Sequence, residues 1–150
     1  MAALKISSDL ERIGDYAKNI AIRSKSISDN KAVPIIEGLV RMGILAGECL
    51  RKVLDGYQTQ DCEPALEAWR KDEEIDKIYT SVFVEIVNFM EKNPGSVSSG
   101  THLAFIGKNL ERIGDLTTNI YFMVRGERLN ADRPKADTTA SINLNELVND

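Results

Sequence analysis

Two stretches of this chain, one hundred positions apart, are nearly the same stretch. Asp9 to Ile22 reads DLERIGDYAKNIAI and Asn109 to Phe122 reads NLERIGDLTTNIYF, identical at eight of fourteen positions. Such self-similarity marks a duplicated supersecondary unit, and it limits the architectures open to the chain. Apolar residues return every three or four positions through both copies, so each copy is expected on a helix. The interval between them ends in the second copy and holds three helix-length segments. That is the content of a three-helix bundle.

Proline and glycine divide the remainder. The first helix is expected from about Ala3 to Ser28, with Leu10, Ile13, Ala17, Ile20 and Ile27 as its stripe. The second follows Pro34 and runs through Leu39, Met42, Leu45, Cys49 and Val53 to Gly56, which reads as its stop. The third starts after Asp61, uses Pro64 in its first turn, and continues to Asn93-Pro94-Gly95. The fourth is entered through Ser96 to Gly100, carries Leu103, Ile106, Leu110, Ile113, Ile120 and Val124, and fades near Gly126. The expected organisation is all-α: a motif helix of an incomplete first repeat over 1–30, a complete three-helix repeat over 31–127, and a flexible tail over 128–150. The first helix is then an orphan. Its stripe needs cover, because a lone helix is marginal in water. Self-association to a homodimer, exchange of the helix between chains, or a wide four-helix bundle within one chain would each supply it.

Composition narrows the function. The chain has 150 residues, 28% charged and 6% aromatic, with a formal net charge of −4. An acidic balance argues against a nucleic-acid or anionic-membrane partner and suits a cationic or protein one. No run approaches the roughly 18 to 20 apolar residues of a membrane span, and no signal peptide is readable, so a cytoplasmic location is expected. Cys49 and Cys62 lack a C-x-x-C spacing and read as inert thiols. His102 is the sole histidine and reads as a surface residue. Neither a histidine triad nor a histidine metal cluster can be built, and no phosphate loop, nucleophile elbow or H-E-x-x-H is present. A non-enzymatic role is expected.

The repeat carries acids in a fixed pattern. Glu11 and Asp15 stand four apart, as do Glu111 and Asp115, so each pair projects from one helix face with Cβ atoms about 5 to 6 Å apart. Like charges at that distance repel, and the third helix repeats the spacing in Asp72 and Asp76. On adjacent helices, such pairs could face each other and form a carboxylate-only site suited to hard cations such as Mg²⁺, Mn²⁺ or iron. The plain alternative is that these acids lie on solvated faces, screened by nearby Lys and Arg. Gly14 and Gly114, between the acids, suggest close helix approach. Asn19 and Asn119 suggest interhelical hydrogen bonds. Trp69 and Tyr79 read as core anchors.

The motif L-E-R-I-G-D-x-x-x-N-I, present twice, resembles that of the PhoU family of bacterial phosphate-signalling regulators. Pro34 to Arg125, including D-E-E-I-D-K-I-Y at Asp72 to Tyr79, resembles a complete second half of such a protein, and the whole resembles one lacking its first two helices. The resemblance implies three-helix bundles whose acidic motifs bind metal clusters, iron among them. By position these are Glu11/Asp15, Asp72/Asp76 and Glu111/Asp115. It also implies a negative regulator linking a phosphate transporter ATPase to a PhoR-type sensor kinase. A carboxylate-bridged metalloenzyme and a purely structural oligomerisation module are the readings from other classes.

Overall fold

A computed structural model describes residues 2–27, 32–59 and 62–125. Four helices follow one another: α1 (Ala2–Ser24), α2 (Val33–Thr59), α3 (Cys62–Lys92) and α4 (Val97–Val124), with one 3₁₀ turn at Pro94–Ser96. The fold is all-α, as the repeat and its periodicity imply.

Each helix buries the stripe its sequence writes. In α2, Ile35, Leu39, Met42, Ala46, Cys49, Val53 and Gly56 recur at alternating steps of four and three, and all are buried. Steps of this kind keep one face of a 3.6-residue helix turned inward. In α3 the buried set is Ala68, Asp72, Ile75, Val82, Ile86 and Phe89. Helices α2, α3 and α4 pack mutually into a three-helix bundle, while α1 lies chiefly against α4. The fourth helix is therefore the hub, and Leu103 and Ile120 on it are fully buried. Each such side chain contributes roughly 1.5–3 kcal/mol of transfer free energy.

The orphan helix is covered within the chain. Ile6 and Ile13 of α1 are buried, with Leu10, Tyr16 and Ile20 packed partly against the core. Because α1 leans on α4 and not fully on α2, an apolar trough remains between α1 and α2. Its larger part, about 380 Å³, is lined by Ile20, Ile36, Leu39, Leu103 and Leu110 among others.

Three boundaries differ from the sequence reading. Helix α1 ends at Ser24, and a turn follows in which the Ser26 and Ile27 amides bond back to Arg23 and Ser24. Gly56 does not stop α2, which runs on to Thr59. Gly56 is buried inside the helix and does not terminate it. Helix α4 opens at Val97, which places His102 in its second turn. The Asn93-Pro94-Gly95 breaker acts as expected: the Asn93 amide and side chain both bond to the Phe89 carbonyl, at 3.1 and 2.9 Å. The expected tail over 128–150 lies outside the described residues, as do 28–31 between α1 and α2.

Candidate functional site

The α3–α4 seam is built on glycine. Gly100, Gly107 and Gly114 fall at heptad spacing on α4, and all three are buried. A Cβ at Gly100 would collide with Met90, one at Gly107 would press Tyr79 at 3.4 Å, and one at Gly114 would stand 2.8 Å from Asp72 Oδ1. These contacts lie on α3, although a Cβ at Gly107 would meet Leu39 of α2 first, at 3.3 Å, so α3 side chains seat directly on bare α4 backbone. The sequence reading singled out Gly114 and missed the other two, whose seven-residue period was the available signal.

Asp72 is the chemical centre of this seam. It is only 2% exposed, in a place where a carboxylate needs hydrogen bonds or an opposite charge to persist. Thr118 Oγ1 donates to its Oδ2 at 3.0 Å. Its charge is felt nearby: the Cys49 thiol is pushed up to about 11, first by burial and next by Asp72. That thiol donates to the Ala68 carbonyl at 3.5 Å and is inert, as expected. Trp69, one turn before Asp72, stacks on Tyr121 with centroids 6.2 Å apart. Arg125 Nη1 donates to the Tyr121 hydroxyl at 3.0 Å. Both rings anchor the core, in agreement with the sequence expectation for Trp69.

One turn along, Lys108 Nζ lies 2.7 Å from Glu111 Oε2 and 5.6 Å above the Tyr79 ring. Burial works against the Lys108 charge, but the Glu111 carboxylate outweighs it and the pKa is raised. The Tyr79 pKa is raised by burial, with Lys108 opposing and Glu111 assisting. Gly114 meeting Asp72, and Lys108 meeting Tyr79, fix an antiparallel register. That register sets Asp76 level with Glu111 and Asp72 level with Asp115.

The first motif copy is placed differently. Glu11 and Asp15 are exposed on α1, and a Cβ at Gly14 would meet nothing within 4 Å. Close helix approach is thus the role of Gly114 and not of Gly14. What α1 shares with α4 is a polar clamp. Asn109 Nδ2 donates to Asn19 Oδ1 at 2.8 Å, and Arg23 Nε donates to the same oxygen at 2.8 Å. Arg23 also reaches His102 Nδ1 at 3.3 Å and lies 4.0 Å over the Phe105 ring. His102 is therefore a half-buried interface residue rather than the surface histidine expected, because α1 packs over its face of α4. Arg112 stands 5.8 Å over Tyr16. The hydrogen-bonding role expected of Asn19 is met. Its partner Asn109 was not foreseen, though it is the one acid-to-amide change at the head of the repeat.

The donor set of the α3–α4 seam consists of carboxylates, matched in kind to hard cations. Asp72 is buried where a cation would offset its charge, and its own Oδ1 takes the room that Gly114 leaves. Among the described residues, however, no three Asp, Glu, Cys or His side chains are gathered closely enough to hold an ion. The acids are aligned in level without being closed into a shell.

This arrangement has known relatives. Residues 39–124 match the PhoU domain. The chain is 43% identical over 142 residues to a phosphate-specific transport system accessory protein PhoU homolog of Caulobacter vibrioides, covering 91% of this chain and 62% of that protein. A homolog of the same description from Rhizobium meliloti is 40% identical over 148 residues, covering 95% and 62%. The crystal structure of PhoU from Pseudomonas aeruginosa superposes with a TM-score of 0.72 at 28% identity, covering 83% of this chain and 62% of that one. The chain thus spans less than two thirds of the length of these relatives. No helix among the described residues is long and apolar enough to cross a membrane. The duplicated L-E-R-I-G-D helix, the three-helix bundle closed on it and the match over residues 39–124 together show that this chain belongs to the PhoU family.

Proposed function

We propose that this chain is a regulator of phosphate uptake and phosphate-responsive signalling, a helical adaptor between a phosphate transporter ATPase and a PhoR-type sensor kinase. The observation that supports this reading is its 43% identity to a phosphate-transport accessory protein across 91% of its own length. Its helices offer contact surfaces and its acids offer charge; the proposed role is regulatory, not catalytic. The test is retention of the transporter ATPase or the kinase on the immobilised chain, against a control with the L-E-R-I-G-D helix scrambled. Retention above that control is expected, and equal retention by both would defeat the adaptor reading.

We further propose that Asp72, Asp76, Glu111 and Asp115 hold a divalent or ferric ion (Fe, Mn or Mg), and that Glu11 and Asp15 are half of a second such set. A bound ion would add positive charge at the level of these four carboxylates, joining α3 to α4. Its test is thermal unfolding of chelator-treated protein with Mn²⁺ or Fe³⁺ added back. At a hundredfold excess over the dissociation constant a site adds about 2.7 kcal/mol. Asp76→Asn with Glu111→Gln is expected to abolish the gain. Identical unfolding with and without either metal would leave the acids as solvated or structural groups.

A further inference from the structure

Helices α1 and α3 both pack on α4 while making at most marginal contact with each other, so one strip of the hub stays open between them. Thr101, Phe105, Lys108 and Arg112 mark it at steps of four, three and four, a row that keeps to one side of a helix. Phe105, at 49%, and Arg112 are exposed. Three cations stand along this row, each laid against an aromatic ring. Arg23 of α1 is 4.0 Å from the Phe105 centroid, Lys108 is 5.6 Å from that of Tyr79 on α3, and Arg112 is 5.8 Å from that of Tyr16 on α1. Of the three, Lys108 alone has an acid of its own, Glu111 at 2.7 Å. Arg23 gives Nε to Asn19 and an Nη1 hydrogen to His102, acceptors that carry no negative charge, and its Nη2 edge is left open. Arg112 forms no ion pair among the described residues and works against the charge of Lys108 beside it.

We infer that this strip receives a short acidic segment of a partner protein, with carboxylates seated at Arg23 and Arg112 and apolar groups against Phe105. A carboxylate takes the paired N–H donors of a guanidinium in the geometry that gives the strongest bonds of this type, and it offsets the repulsion between Arg112 and Lys108. The ring under each cation holds it in place beforehand, so less freedom is lost on capture. From Phe105 to Arg112 the row rises about 10 Å at 1.5 Å per residue, room for two or three carboxylates. Just beyond Arg112 the strip turns acidic at Asp115, and the whole chain carries −4, so a long polyanion such as a nucleic acid is repelled where a short acidic segment is not. The inference deepens the adaptor reading and rests on it for the partner being a protein. The preference for acid stands on this chain's own residues.

Fluorescence anisotropy tests it, with the full chain titrated to about 1 mM against a short labelled peptide of alternating Glu and Ala. Saturable binding that weakens as salt is raised is expected, and the same peptide with Gln for Glu should not bind. Arg112→Glu is expected to weaken binding roughly tenfold or more, and Arg112→Gln roughly threefold to fivefold. Phe105→Ala, which removes the seat of Arg23, should weaken it roughly twofold or more. Arg51→Gln, an exposed arginine on α2, should leave it within about twofold. Circular dichroism confirms that each variant keeps its helices. No saturable binding, equal binding of the Gln peptide, indifference to Arg112→Glu, or tighter binding of an oligothymidylate of equal length would each overturn the inference. The adaptor reading fails separately. If the transporter ATPase or the kinase is retained equally by the wild-type chain and by Arg112→Glu, the strip is overturned as the contact and the adaptor stands. If neither is retained by a wild-type chain that binds the Glu peptide, the adaptor falls and the strip's preference for acid is upheld.

Discussion

The same eleven-residue motif occupies two surroundings in this molecule. On α4 it is enclosed: Gly114 faces Asp72, Thr118 bonds to it, and Glu111 is held by Lys108. On α1 the corresponding Gly14, Lys18 and Glu11 are exposed. The polar tie of the first copy to α4 is the clamp through Asn19 and Arg23, beside the apolar stripe of Leu10, Ile13 and Ile20. A motif of this kind is therefore a half-interface, and its chemistry depends on whether an acidic helix lies across it.

The sharpest test of that contrast removes one hydroxyl. Thr118→Val deprives the buried Asp72 of a charge-assisted bond and should cost about 2–3 kcal/mol in urea unfolding. Lys18→Val, at the matching place on α1, should fall within about 0.5 kcal/mol of wild type. Equal effects would mean that the two copies are not in different environments after all.

Next in size is the glycine pair. Gly114→Ala forces a methyl group against Asp72 and is expected to destabilise by about 1–3 kcal/mol. Gly14→Ala gains helix propensity in open space and is expected to stabilise by up to about 1 kcal/mol. Opposite signs in thermal unfolding are the expected outcome. Asn109→Ala should cost about 1 kcal/mol, and hydrogen exchange should show the loss concentrated in α1 amides, since Asn109 joins α4 to α1 through Asn19.

The smallest effect concerns Asp9, the acid that Asn109 replaces in the second copy. Burial raises its pKa above 3.8, although Arg12 and Lys5 pull the other way. A carboxyl that the folded state prefers protonated contributes most below the unfolded value, and that contribution is lost as pH rises through the folded one. Asp9→Asn should flatten this pH dependence and stabilise the protein at pH 7 by under about 0.5 kcal/mol, the half-buried side chain keeping part of its contact with water. A destabilised Asp9→Asn protein would mean that the ionised acid is used.

Much of this was legible in the residues. The repeat, the apolar periods and the Asn93-Pro94-Gly95 breaker place four helices because local pattern and packing agree. The acids of α3 and α4 were expected to face each other; the register sets them level, but among the described residues no three gather at one point, and Asp72 is buried while Asp115 is exposed. Glycine was the less readable signal. Gly56 looked like a helix end and lies buried inside α2, while Gly14 looked like a contact and is open, because a glycine's meaning depends on what lies opposite. His102 was misjudged for the same reason: one sequence does not say which face of α4 a neighbouring helix covers.

The heptad of bare positions on α4 has a mechanical consequence. At Gly100, Gly107 and Gly114 the side chains of Met90, Tyr79 and Asp72 seat directly on bare α4 backbone, and the two helices move as one beam because sliding either would unseat all three. Because α1 is fastened to that same beam by Asn109 and His102, it is carried along as a pointer.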